Sequence, residues 1–283
     1  MPAFGHVTAA IGVALPGLVP SDARVAQIIL DEPTRVVELS VSELAELAGT
    51  AASTVVHACK RLGFKGFQDL KLALARDLGR AQGVDHAELP DEPSPDQVFD
   101  VFMRRSIALL QNSLVTVDRE AFNVAADRIA AARQILCVAM GSSTWIAQQL
   151  AHDFNVIGRV ANAPMDLMHK QLLARQLGPG DACVVISHPG TSVHGLETAE
   201  IAKAQGAFIV GVTSFQSSPL TKISDVALVA GGHELGLTLG HDISRIAHVA
   251  VLRALHLAVG LRIGQSALDG YDRAAEININ HHL

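Results

Sequence analysis

From about residue 134 the chain alternates between short apolar runs and longer stretches with apolar residues at helical spacing. The runs are "ILCVA" (135–139), the weaker "RVANA" (159–163), "ACVVIS" (182–187), "AFIVGVTS" (207–214) and "DVALVAG" (225–231). Helical patterning follows over 143–154, to Gln176, over 192–205 and over 244–261. Strands buried on both faces and separated by helices of this length predict a doubly wound, five-stranded parallel sheet. Upstream the pattern is helical throughout. Apolar positions recur over 23–30. Ser40 stands three residues before Glu43, which predicts a capping box ahead of Leu44, Ala45 and Leu47. Gly49 closes that helix, and Gly63 closes a second one over 52–62. Residues 81–100 break the pattern with three prolines, six acids and no Lys or Arg, a linker composition. Amphipathic helices are predicted over 98–115 and 119–132. The reading is therefore α/β, with an N-terminal all-α domain over 1–80, a linker and connecting helix over 81–117, and a sheet domain over 118–283.

Composition narrows the function. The chain has 283 residues, 49% hydrophobic and 18% charged, enough for a sizeable core. Its formal charge of −6 argues against an unspecific polyanion binder but leaves room for a local basic patch. One Trp and one Tyr make base stacking on single strands a poor fit. Cys59, Cys137 and Cys183 are scattered and odd in number, so neither a disulfide framework nor a structural zinc site is indicated, and a cytoplasmic location is expected. No cofactor and no metal is implied. The apolar start, Met1–Pro20, lacks a basic lead and is interrupted by Pro16 and Gly17, so it suits neither a signal peptide nor a membrane span.

The stretch "VSELAELAGTAASTVVHACKRLGFKGFQDLK" reads as helix, tight turn, helix, the arrangement that lays a second helix in a major groove. Basic residues gather there: Lys60, Arg61, Lys65, Lys71 and Arg76 stand against Asp69 alone between Thr50 and Arg76. The first eighty residues as a whole are balanced, eight against eight. A helical hairpin with a solvated basic face would give the same pattern. The motif resembles the N-terminal domain of RpiR/MurR-type bacterial transcription regulators, most specifically in Gly63-Phe64-Lys65-Gly66-Phe67. Two positions depart: Ala51 stands where the family has Ser, and His57 where it has Arg. The resemblance implies double-stranded operator DNA as partner and Ser53, Thr54, His57, Lys60 and Lys65 as its contacts.

The strand over 182–187 empties into Ser187, His188, Pro189, Gly190, Thr191 and Ser192. A Gly- and hydroxyl-rich turn that opens a helix presents unpaired N–H groups at the positive end of a dipole, which suits an anion. Gly141, Ser142 and Ser143 repeat that chemistry after the first strand. Thr213, Ser214, Ser217 and Ser218 repeat it after the fourth. Ligands of open α/β sheets gather at such strand ends, although hydroxyls there also serve as plain caps.

The region over about 120–265 resembles a SIS (sugar isomerase) domain of flavodoxin-like topology. Ser187, Gly190, Thr191 and Ser192 keep part of that family's Ser-x-Ser-Gly-x-Thr motif, with Pro189 in place of the central Ser. Gly141 and Ser143 match its upstream Gly-x-Gly-x-Ser, with Ala139 at the first Gly. The resemblance implies a sugar-phosphate or sugar-acid effector held by Gly141, Ser142, Ser143, Ser187, His188, Gly190, Thr191, Ser192 and Ser214. It further implies a homodimer or homotetramer, no membrane partner and no catalytic residue. The alternative is a SIS-type isomerase or lyase, for which His188, His194, His233, Glu234 and His241 are the candidate bases, with Glu197 read as a surface or edge residue. A metal-responsive regulator using several His is a third reading, although His233 and His241 lack zinc-site spacing.

Overall fold

The computed structural model describes residues 7–80, 92–231 and 240–281. The chain divides into two compact units. One takes Met1–Thr116 with Ser214–Ser217 and Val229–Ala247; the other takes Val117–Thr213, Ser218–Leu228 and His248–Leu283.

The first unit is helical: α1 (Val7–Ala14), α2 (Pro20–Asp31), α3 (Pro33–Glu38), α4 (Val41–Leu47), α5 (Ala52–Arg61), α6 (Phe67–Arg80) and α7 (Pro95–Thr116). Its core gathers Ile11, Val25, Ile29, Val36, Leu44, Val55, Leu70 and Leu74, all fully buried. Local chemistry sets the helix ends. Ser40 Oγ accepts from the Glu43 N–H at 3.2 Å while Glu43 Oε2 accepts from the Ser40 N–H at 2.7 Å, closing the capping box. At the far end of α4 the Thr50 N–H reaches the Ala45 carbonyl and the Gly49 N–H the Glu46 carbonyl. This Schellman pair places Gly49 at φ +58°. α5 ends the same way, with Phe64 on Cys59, Gly63 on Lys60, and Gly63 at φ +91°. Part of the apolar start, for which the sequence pattern predicts no element, is core. Ala9, Ile11 and Val13 of α1 are buried, because a unit of short helices has little other apolar surface to close it.

The second unit contains α8 (Arg119–Ala131), β1 (Ile135–Ala139), α9 (Thr144–Val156), β2 (Ala161–Asn162), α10 (Leu167–Gln176), β3 (Ala182–Ile186), α11 (Val193–Ala204), β4 (Phe208–Thr213), α12 (Pro219–Ile223) and most of β5 (Val226–Val229). The long α13 (Gly240–Ile263) and the terminal α14 (Gln265–His281) complete the chain. The strand order is β2-β1-β3-β4-β5, and β1 pairs parallel with both β2 and β3, as β3 does with β4. Every residue of β1 and β3 is buried, so both faces of the sheet are covered. The weak second strand shrinks to two residues. It ends just before Pro164, and the Asn155 side chain pairs the N–H and the carbonyl of Ala161 on the edge away from β1. Helix α14 was not foreseen. It lies so close to α9 that a Cβ on Gly270 would meet the Val156 carbonyl oxygen.

By length and composition, Ile243–Ile263 within α13 could cross a membrane. Here Leu252, Leu255 and Val259 are buried in the fold.

Burial raises the thiol pKa at all three cysteines, to about 11 for Cys59, to about 12 for Cys183 and further for Cys137, whose neighbour Cys183 adds to the effect. The native protein is therefore expected to leave a thiol-reactive dye unconsumed at pH 8, and three equivalents should react after unfolding. Stoichiometric labelling of the native chain would contradict this.

Candidate functional site

The order β2-β1-β3-β4-β5 reverses direction between β1 and β3, which makes that pair the topological switch point. The two turns with hydroxyl chemistry leave these same strands. After β1, Gly141–Ser143 forms one turn of 3-10 helix with Gly141 at φ +57°. Gly141 and Ser142 are exposed, and Ser143 is buried as the N-cap of α9. After β3, Ser187 is buried and its N–H is bonded to the Val212 carbonyl. His188 is half-buried, Pro189 and Thr191 are exposed, and Ser192 is the N-cap of α11.

Helices α8, α10 and α12 are capped by the side chains of Asp118, Asp166 and Ser218. Helices α9 and α11 are not: neither N-cap serine makes a side-chain cap bond, and neither first turn holds an acid. Two helix starts without a side-chain cap or an acid thus sit at the two strands that flank the switch point, where an anion gains from both dipoles, although at α9 the Ser143 and Thr144 N–H groups already bond the Met140 and Gly141 carbonyls.

The third turn is different. Thr213 Oγ1 donates to the His188 carbonyl at 2.9 Å, and Ser218 closes a capping box with Thr221. The Gly190 N–H bonds the Ser187 carbonyl, and the Leu220 N–H bonds the Gly190 carbonyl. These contacts brace the Ser187–Ser192 turn from beneath. They also explain Gly190. It sits at φ +66°, and a Cβ there would lie 2.3 Å from Ser218 Oγ and 3.0 Å from Thr213 Oγ1. The close approach that requires glycine is to the protein's own serine. Ser214 is fully buried and clusters with the first unit, together with Ser217.

Among the candidate bases, His188 lies with its ring 6.3 Å from that of buried His248. His194 is exposed on α11, with Nδ1 3.1 Å from Glu197 Oε2. His233 and Glu234 lie outside the described residues, as does the side chain of His241. A shallow groove of about 550 Å³ between α10 and α11 is lined by Gln171, Arg175, Glu197 and Glu200. Its two acids make it a poor anion site.

Behind the turns, His256 is buried against Phe154, and its Nε2 lies 3.3 Å from the Tyr271 hydroxyl. Arg253 pairs with Asp153 alongside. Burial lowers the His256 pKa, an effect that Asp153 partly offsets. The folded state therefore disfavours the imidazolium, and this contribution to stability is present above the usual pKa of about 6.5 and is lost as pH falls below it. The melting temperature is expected to drop on acidification from pH 7 to 5, and less steeply in His256→Asn. Parallel curves would contradict the assignment.

On the first unit, α5 buries Val55, Ala58 and Cys59 and exposes Ser53, His57 and Lys60, a single face at i, i+4 and i+7. Thr54 is half-buried beside it, and Lys65 is exposed in the loop that follows. Three other cations of this unit serve the fold. Arg61 pairs with buried Asp22 at 2.6 Å, and Lys71 donates to the Leu39 carbonyl over the Phe67 ring. Arg24 caps the carboxyl end of α4 by donating to the Ala48 and Gly49 carbonyls.

Two residues were missed at the level of sequence. Trp145, the chain's one tryptophan, is about half exposed in the first turn of α9, directly after the Gly141 turn. Lys170 of α10 is buried with its Nζ on the Ala139 carbonyl. No local pattern separates either from an ordinary helix residue.

Comparison with known proteins agrees with this geometry. The helix-turn-helix domain of the rpiR family matches residues 6–81, and the SIS domain matches residues 128–235. A helix-turn-helix transcriptional regulator of Caldanaerobacter subterraneus is 29% identical over 240 residues, which are 85% of each chain. The regulator HexR of Pseudomonas aeruginosa is 28% identical over 249 residues, 86% of this chain and 85% of that one. The solved structure of Vibrio vulnificus NanR in complex with ManNAc-6P superposes with a TM-score of 0.61 at 24% identity, covering 97% of this chain and 98% of that one. Helical DNA-reading unit, switch-point sheet and both family matches converge: this chain belongs to the RpiR-type helix-turn-helix transcriptional regulators that carry a SIS domain.

Proposed function

We propose that this regulator senses a sugar phosphate, or a related sugar acid, at the Gly141–Ser143 and Ser187–Ser192 turns. The observation that carries the reading is the pair of uncapped helix starts at the β1/β3 switch point. Gly141, Ser142, Ser143, Thr191 and Ser192 line the two turns, with the Ser143 N–H bonded to the Met140 carbonyl, and Ser187 and His188 form the base of the second turn. Pro189 removes one N–H and one hydroxyl from its centre, which favours an anion gripped from the two sides. The ManNAc-6P carried by NanR, a protein of the same fold, is consistent with this class of guest.

In this reading residues 1–80 bind operator DNA through Ser53, Thr54, His57, Lys60 and Lys65. Residues 81–117 connect, and residues 118–283 hold the effector. The protein acts in the cytoplasm as a homodimer or homotetramer and catalyses no reaction. Effector binding changes the affinity for paired operator half-sites.

A mobility-shift titration on the chain's own upstream DNA, with and without a panel of sugar phosphates, tests this. A midpoint moved by at least one sugar phosphate is the expected result. Turnover of a sugar phosphate with no DNA shifted would establish the isomerase alternative instead.

A further inference from the structure

Lys170 is 2% exposed, one of the most enclosed side chains in the protein. Its Nζ donates to the Ala139 carbonyl at 2.8 Å and lies 3.5 Å from Met140 Sδ. The backbone explains why that carbonyl is available. The Ile135 N–H bonds the Val160 carbonyl on the β2 side, whereas the Gln134 carbonyl accepts from Ala182 on the β3 side. Alternate residues of β1 face the same neighbour, so Ala139 faces the β2 side, as Ile135 does. Strand β2 ends at Asn162, in register with Leu136, and offers Ala139 nothing. The ammonium takes the place of the missing strand.

A neutral amide could have satisfied one carbonyl. A buried cation is costly unless a negative charge answers it. None of the ion pairs among the described residues includes Lys170. Asp166 is committed as the N-cap of α10, accepting from the His169 N–H at 2.9 Å. Burial lowers the pKa of the ammonium, and Asp166 restores only part. The carbonyl that Lys170 grips belongs to the last residue of β1, two residues before the Gly141–Ser143 turn.

We propose that Lys170 is the fixed counter-charge of the effector turn, a positioning residue that makes the carboxyl end of β1 select an anion. It is too enclosed to touch a guest; it acts from below, through the β1 end it holds and through its charge in a poorly screening interior. The inference rests on the effector-site reading and adds to it the requirement for a cation.

The test titrates the full chain with inorganic phosphate against potassium chloride at matched ionic strength, following Trp145 fluorescence. Variants Lys170→Arg, Lys170→Gln and Lys170→Met are compared, with circular dichroism to separate misfolding from lost binding. Arg keeps the charge, whereas Gln keeps an N–H donor for the Ala139 carbonyl without charge. The expected order is a response within about threefold of wild type for Arg, and at least about tenfold weaker for Gln and Met. A Gln variant that matches wild type overturns the proposal, since the donor alone would then suffice. A combined Ser187→Ala, Thr191→Val variant keeps the two levels apart. If it loses the phosphate response while Lys170→Gln retains it, the effector site stands and the role of Lys170 falls. If wild type ignores phosphate, both fall.

Discussion

Gly190→Ala is expected to cost about 2–4 kcal/mol of stability, the sum of a left-handed backbone forced on alanine and a Cβ driven into a packed serine. The position is set by φ +66° and by Ser218 Oγ at 2.3 Å from the site of the new atom. Relief would require Ser218 to leave the capping box of α12, or the Leu220–Gly190 hydrogen bond to open. Either movement displaces the Ser187–Ser192 turn, so effector response should be lost together with stability. Urea denaturation followed by circular dichroism measures the first effect, and Trp145 fluorescence with a sugar phosphate the second. The double variant Gly190→Ala, Ser218→Gly removes the obstructing side chain and should recover part of the loss, leaving the backbone cost of about 1 kcal/mol and the missing cap. A single variant as stable as wild type would mean that the turn is not braced as described.

Reversing charge at both Lys60 and Lys65 should weaken operator binding by about 100-fold or more at moderate salt, because the proposed DNA face loses two phosphate contacts and gains two repulsions. The salt dependence should flatten by about one unit of slope per lysine removed. Lys60, Lys65 and Arg61 are exposed, but Arg61 is engaged by buried Asp22 and Lys71 by the Leu39 carbonyl. Arg61→Ala should accordingly lower stability through the uncompensated Asp22, not primarily through lost phosphate contact. If it reduced operator affinity as strongly as the Lys60 and Lys65 reversals while leaving the urea midpoint unchanged, the DNA face would have to be redrawn.

The parts of the fold legible in the sequence are those set by neighbours in the chain. Ser40 and Glu43 find each other across one helical turn, and Gly49 and Gly63 sit where the helix-ending hydrogen bonds demand a positive φ. The apolar runs of β1, β3 and β4 are continuous because both faces are covered. The pieces hidden from sequence depend on distant partners. The start at Val7–Ala14 shows no helix signal of its own until the helical core is assembled around Ile11. Residues Thr213 and Ser218 read as ligand hydroxyls, yet their oxygens are committed to the His188 carbonyl and the α12 cap, 25 residues away in the chain for Thr213. The strand at 159–163 keeps only two residues, and its outer edge is closed by the distant side chain of Asn155 on Ala161. Lys170 carried no signal, since a lysine in a polar helix is usually solvated, and only the early end of β2 gives it work. At the effector site the two turns were readable as chemistry, but their pairing at one switch point needed the strand order.

The amide spectrum of isotope-labelled protein titrated with a sugar phosphate that alters operator binding tests the central claim most directly. The account expects the largest shifts at the N–H groups of Gly141–Ser143 and of Gly190–Gly195, the two uncapped helix starts. Shifts confined to the α10–α11 groove around Gln171, Arg175, Glu197 and Glu200, with both turns unmoved, would contradict it.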